Sequence, residues 1–146
     1  MSNLETRNRI VVGVDGSEAS LDAVRYAIKQ AELTNSRVEA VTSWEYPRQY
    51  GAEFYGEELD WAKIAATTLE AALREVGSQG VVQVEQRVLQ GHPAEVLVAA
   101  SEGAELLVVG SRGHGGFVGM LLGSVSEHVI AHAKCPVLVV RHGQDS

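Results

Sequence analysis

Six glycines fall within the seventeen residues VVGSRGHGGFVGMLLGS, Val108 to Ser124, directly after an apolar run. Glycine is costly to order on folding, so such a cluster implies that the backbone must turn sharply or approach something closely. Gly110, Gly113 and Gly123 are separated by two and then nine residues, and Ser124 follows. Backbone N–H groups in a turn stripped of side chains can converge on an anion. A helix opening at Ser124 would add its unpaired first N–H groups and the positive end of its dipole. The chemistry indicated is the cradling of a phosphate.

Two familiar phosphate loops do not fit. A P-loop ends in Gly-Lys-Ser/Thr, and no lysine lies between Val108 and Ser124. In the dinucleotide fingerprint Gly-x-Gly-x-x-Gly, Gly113 and Gly115 would be followed by Val118 where the third glycine belongs. That fingerprint also follows the first strand of its fold, whereas this cluster follows the fourth apolar run. A plainer alternative competes: Ser124 and Glu127 have the spacing of a capping box, which would occupy the donors a phosphate needs.

Other residues that could carry chemistry are weaker candidates. Asp15 ends the apolar run IVVGV and is either a turn residue or a ligand contact. His128 and His132 have a zinc-compatible spacing, but Val129 stands where the metalloprotease signature has Glu. Nothing nearby completes a tetrahedral ligand set, so surface histidines are expected. Cys135, before Pro136, reads as a small buried hydrophobe. There is no Gly-x-Ser-x-Gly elbow, and Glu57-Glu58 reads as solvated surface. Binding is better supported than catalysis, and no catalytic residue or metal site is expected.

The elements that must position these residues alternate. Ile10 to Val14 is a continuous β-branched run suited to a strand buried on both faces. Leu21, Val24, Ile28 and Ala31 form a helical stripe, with Ser17 as N-cap and Asn35 as stop. RVEAVTSW is a second strand, and Trp61, Ala65, Leu69, Ala72 and Val76 mark a second helix. Between them EYPRQYGAEFYGEE is the one long loop, expected to be mobile near the mouth of a site. Val81 to Leu89 is a third strand, and GHPAEVLVAASEG holds a short helix with Pro93 in its first turn. AELLVVG, a helix from about Val125 to Ala133, and the strand CPVLVVR complete the series.

This alternation predicts an α/β three-layer sandwich around a five-stranded parallel sheet. Ligands in such sheets sit beyond the carboxyl ends of strands, where the strand order reverses. Asp15 and the glycine cluster would be neighbours if the strand order were 3-2-1-4-5, an order that the sequence alone does not fix. The 146 residues fit one domain, core about 9–141. A net charge of −7 argues against nucleic acid and anionic membranes as partners. One cysteine, a polar N-terminus and no span-length apolar run fit a cytoplasmic chain.

The spacing Gly-x2-Gly-x9-Gly-Ser, with IVVGVDGSEAS, GHPAEVLV, AELLVVGSRGHGG and LLGSVSEHVIAHAKCPVLVVR in order, resembles the universal stress protein family in its ATP-binding branch. The likeness runs from about Arg9 to Arg141. It implies a dimer, here through the C-terminal strand, and a nucleotide-dependent regulatory or stress-response role. It also implies ATP with Mg²⁺ as ligand, held by Gly13 and Asp15 near the ribose and by Thr42 or Ser43 near adenine. Gly110, Gly113, Gly123, Ser124 and Val125 would hold the phosphates. At most weak hydrolysis is expected, since no water-activating group is evident. The alternatives are a slow ATPase or phosphotransfer enzyme, and a module for cyclic AMP or another adenine nucleotide.

Overall fold

The computed structural model describes residues 8–46, 59–77, 80–111 and 122–141. Gly113 and the stretch from Pro47 to Glu58, most of the long loop, lie outside them. Five strands, β1 (Arg9–Gly13), β2 (Arg37–Trp44), β3 (Val84–Gln90), β4 (Leu106–Gly110) and β5 (Val137–Val140), form one parallel sheet in the order β3-β2-β1-β4-β5. Four helices alternate with them: α1 (Glu18–Thr34), α2 (Trp61–Val76), α3 (Pro93–Ala100) and α4 (Ser124–His132). The expected α/β class and strand order are both found.

Alternate side chains of each buried strand feed different cores, as the period of two requires. Ile10, Val12, Val38, Ala40 and Val108 pack on Leu21, Val24, Ala27 and Ile28 of α1 and on Leu69, Ala72 and Leu73 of α2. Val11, Val41, Leu107 and Val109 turn the other way, onto Val96 and Leu97 of α3 and Val129 of α4. These strands therefore read as unbroken apolar runs, because both faces are covered.

Local chemistry sets the helix ends. Ser17 caps α1, accepting from the Ser20 N–H at 3.2 Å, and Asn35 ends it in the left-handed region at φ 58°. Pro93 opens α3, where its missing N–H does no harm. The cap of α3 is His92, whose Nδ1 accepts from the Ala94 N–H at 3.2 Å. Strand ends differ from expectation by up to three residues: β3 begins at Val84, and Val81 is 91% exposed.

The lower end of the sheet is tied by charge. The Arg9 guanidinium donates to the α3 carbonyls of Ala100 and, just beyond, Glu102, at 3.0 and 2.7 Å. It also reaches the buried carboxylate of Glu39 at 3.2 Å, which Arg87 approaches at 3.6 Å. A carboxylate this deep persists because it is paired.

At the upper end, Gly110 lies against the first turn of α1. A Cβ there would fall 2.8 Å from both the carbonyl carbon and the Cβ of Ala19. Backbone cannot yield as a flexible side chain can, so Gly110 is glycine because α1 and β4 touch. Gly110→Ala should therefore destabilise the fold by about 1–3 kcal/mol, the usual cost of overpacking. Urea unfolding reads this as a lower midpoint at unchanged slope; a midpoint equal to the parent's would mean that α1 steps back freely.

Candidate functional site

β1 and β4 are neighbours, yet their crossovers leave in opposite directions, toward β2 and toward β5. A crevice opens above such a reversal. It holds a cavity of about 570 Å³ at the carboxyl ends of the strands. Gly13, Val14 and Asp15 form its floor, with Thr42, Ser43 and Trp44 from the end of β2. Gly110 and the start of α4, Gly123 to Ser126, form one wall. Trp61, Ile64, Ala65 and Thr68 of α2 form another, and Pro93, Val96 and Leu97 of α3 a third.

The site residues expected from sequence are thus brought to one place, apart from Gly113, which lies outside the described residues. Gly13, Asp15, Ser43, Gly110, Gly123, Ser124 and Val125 all line the cavity. A Cβ at Gly13 would meet Leu97 Cδ1 at 2.8 Å, so Leu97 of α3 packs directly over the bare backbone there.

The floor is held by its own hydrogen bonds. The Val14 N–H extends the β1–β2 ladder onto the Val41 carbonyl at 2.9 Å. The buried Thr42 hydroxyl donates to the Val14 carbonyl at 2.9 Å. Thr42 therefore braces the turn, while the half-buried Ser43 stands beside it. Asp15 is exposed, and its Oδ1 accepts from the Ser17 N–H at 2.9 Å, closing an Asx turn through Gly16 at φ 86°.

The α4 wall decides between the phosphate cradle and the capping box. Gly123 is the N-cap and Ser124 is already helical, so the Ser124 hydroxyl is one position too late to cap. The Gly123 N–H donates to the Ser111 carbonyl at 2.7 Å, closing the base of the glycine-rich segment. Glu127 is exposed, and only its backbone N–H returns to Gly123, at 3.0 Å. No capping box forms. The N–H groups of Ser124, Val125 and Ser126 precede the first intrahelical bond and have no acceptor among the described residues. The Ser126 hydroxyl donates to the Gly110 carbonyl at 2.6 Å, pinning the helix start to the end of β4.

Sequence reasoning did not single out the α2 wall. Its signal was present: Trp61, Ile64, Ala65 and Thr68 follow i, i+3, i+4, i+7. The stripe that marks this helix overlaps theirs at Trp61 and Ala65, so the helical spacing alone did not separate a cavity face from a core face.

Outside the cavity, His128 and His132 are exposed on α4 with ring centroids 4.5 Å apart. No group of three or more metal-ligating side chains exists among the described residues. Burial pushes the Cys135 thiol pKa up, outweighing the lowering effect of Arg9, while Glu105 adds to the rise. A thiol held protonated in this way is a poor nucleophile. No helix among the described residues is long and apolar enough to cross a membrane.

The sequence model of the universal stress protein family matches residues 6–141. A universal stress protein of Mycobacterium tuberculosis is 36% identical over 138 residues, covering 90% of this chain and 44% of that protein. The chain thus spans less than half the length of that relative. One from Thermus aquaticus is 35% identical over 135 residues, covering 90% of this chain and 97% of that one. Among solved structures, a universal stress protein in complex with cAMP is 31% identical, with a TM-score of 0.67 over 92% of this chain and 96% of that one. An Archaeoglobus fulgidus universal stress protein in complex with dAMP is 26% identical, with a TM-score of 0.62 over 91% and 97%. With its strand order, its cavity and these matches in agreement, the chain belongs to the universal stress protein family.

Proposed function

We propose that this chain is an adenine-nucleotide-binding module that takes ATP and acts as a nucleotide-dependent regulator in the stress response, in the cytoplasm and as a homodimer. The observation that carries the reading is the start of α4, where Ser124, Val125 and Ser126, whose N–H groups have no acceptor among the described residues, line the cavity that Asp15 and Ser43 share. Such a donor set suits a phosphate chain, and the helix dipole favours its charge. Relatives solved with cAMP and dAMP support an adenine nucleotide as the ligand class.

Mg²⁺ would arrive on the phosphates, since this ion usually keeps several waters and binds through substrate phosphates. Hydrolysis is expected to be slow, because the wall supplies donors for the phosphates and no evident base to activate water. A second reading, a cyclic AMP module, is favoured by the related structure holding that ligand. Competition calorimetry separates the two: ATP should displace cyclic AMP readily, and the reverse order of affinity would select the second reading.

The phosphate wall makes a graded prediction. Gly123 has φ −79° and ψ 166°, a conformation open to any residue. Gly123→Val is therefore not strained by its backbone angles, while its branched side chain fills the approach to α4. ATP binding should be lost. Ser124→Ala removes only a hydroxyl and keeps the backbone N–H, so affinity should fall by about ten- to a hundredfold, the loss of one hydrogen bond to a charged group. Asp15→Ala should weaken adenosine as well as ATP, and Asp15→Asn, which keeps an acceptor for the Ser17 N–H, separates the Asx turn from the carboxylate. Calorimetry on the folded variants reads all four, and parent-like ATP binding by Gly123→Val overturns the phosphate assignment.

The dimer has its own test. β5 is an edge strand whose Val137 and Val139 are half-buried. An apolar edge invites pairing with another chain. Val139→Lys should shift sedimentation from dimer toward monomer at low micromolar concentration; equal masses for the two proteins leave β5 without that role.

A further inference from the structure

The outer surface of α4 carries two histidines that the cavity does not use. Val125 and Val129 pack into the core, while His128 and His132 stand exposed. Side chains four apart on a helix lie one above the other, one turn apart. The two ring centroids are 4.5 Å apart, with the planes tilted by 41°. Beyond this ring contact, neither imidazole has a hydrogen bond or ion pair among the described residues. His92 differs, because its Nδ1 is taken by the Ala94 N–H. All four ring nitrogens on α4 therefore remain for something that arrives from solution.

The spacing is that of two imidazoles on one ion. Rings that share a cation at about 2.0–2.1 Å, at a right angle or somewhat wider, have centroids roughly 4.5–5 Å apart. Exposed rings turn about their side-chain bonds, so their nitrogens can converge without moving the backbone. The position on the helix also favours a cation. His132 lies in the last turn of α4, where the final carbonyls carry the negative end of the dipole.

We propose that His128 and His132 form a chelating site for a divalent first-row transition cation such as Zn²⁺, with water in the remaining positions. Neutral imidazole suits Zn²⁺, Ni²⁺ and Cu²⁺. Mg²⁺ and Ca²⁺ take oxygen ligands, so this ion is distinct from one carried on phosphates. A closed structural site would need four protein ligands. No group of three or more exists among the described residues, so the site is an open one that exchanges its ion with solution. The inference uses only the outer surface of α4, and it stands whether or not the cavity takes a nucleotide.

The test is calorimetry of Zn²⁺ with the full chain, in a buffer that does not bind metal and at slightly alkaline pH, where imidazoles are neutral. Zn²⁺ should bind the parent, Cu²⁺ should bind more tightly, and excess Mg²⁺ should displace neither. His128→Gln and His132→Gln should each weaken Zn²⁺ by at least about tenfold, because a lone ligand loses the advantage of a second held beside it. Both positions are exposed, so the variants should keep the circular dichroism of the parent. Parent-like Zn²⁺ affinity in either variant overturns the site, as does a parent that binds no Zn²⁺.

A second readout needs only the parent. In NMR, Cu²⁺ added well below one equivalent should broaden the ring signals of His128 and His132 before those of His92, His114 and His142. Equal broadening of all the histidines, or broadening that begins at one of the other three, overturns the assignment.

Discussion

The backbone of Gly110 is where the upper half of the molecule is joined. On one side it touches the first turn of α1, so closely that a Cβ would meet Ala19 at 2.8 Å. On the other its carbonyl takes the Ser126 hydroxyl at 2.6 Å. One peptide unit thus sets the distance from β4 to α1 and the position where α4 begins. Both helices start at the cavity, so its width follows from this contact. The next residue continues the arrangement: the Ser111 N–H donates to the Val140 carbonyl, and its own carbonyl receives the Gly123 N–H. The glycine-rich segment leaves and returns at a closed base, and α4 is aimed before any ligand arrives. Preorganisation of this kind spares a bound molecule the cost of ordering its donors.

The remaining walls are held by different physics. The floor is braced by hydrogen bonds across the sheet, from Val14 to Val41 and from Thr42 to Val14. The α2 wall stands on apolar packing, with Leu69, Ala72 and Leu73 buried in the same core as Val38 and Ala40. The α3 wall stands on Leu97 over Gly13 and on the His92 cap. A site whose sides rest on separate supports can offer donors on one side and apolar surface on the other, as a nucleotide with a charged and a flat end requires.

How much of this was legible follows from how local each cause is. Ser17, Asn35 and Pro93 act within one turn of themselves, and each could be read from its neighbours. Both faces of β1, β2 and β4 are covered, so their apolar runs stood out. Gly110 was legible as a glycine that mattered, although the contact with Ala19 that demands it is distant in sequence and has no sequence signature. The capping box was legible and does not form, because the Gly123 N–H is drawn to Ser111 by the closure of the segment. Trp61 was legible as a helical position but not as part of a cavity wall, since only the fold brings that face of α2 to the crevice.

An acidic chain is no obstacle to the anion site proposed at α4, and the reason is range. The net charge of −7 is spread over the surface of 146 residues. Solution ions screen exposed charges beyond roughly 8–10 Å. At the start of α4 the groups that matter are within hydrogen-bond distance of whatever docks there: the N–H groups of Ser124, Val125 and Ser126 and the dipole behind them. Contact donors act where screening does not reach, so the net charge does not bear on the proposed anion site at α4 as it does on a long polyanion. A net negative charge is therefore compatible with the proposed binding of a single nucleotide's phosphates.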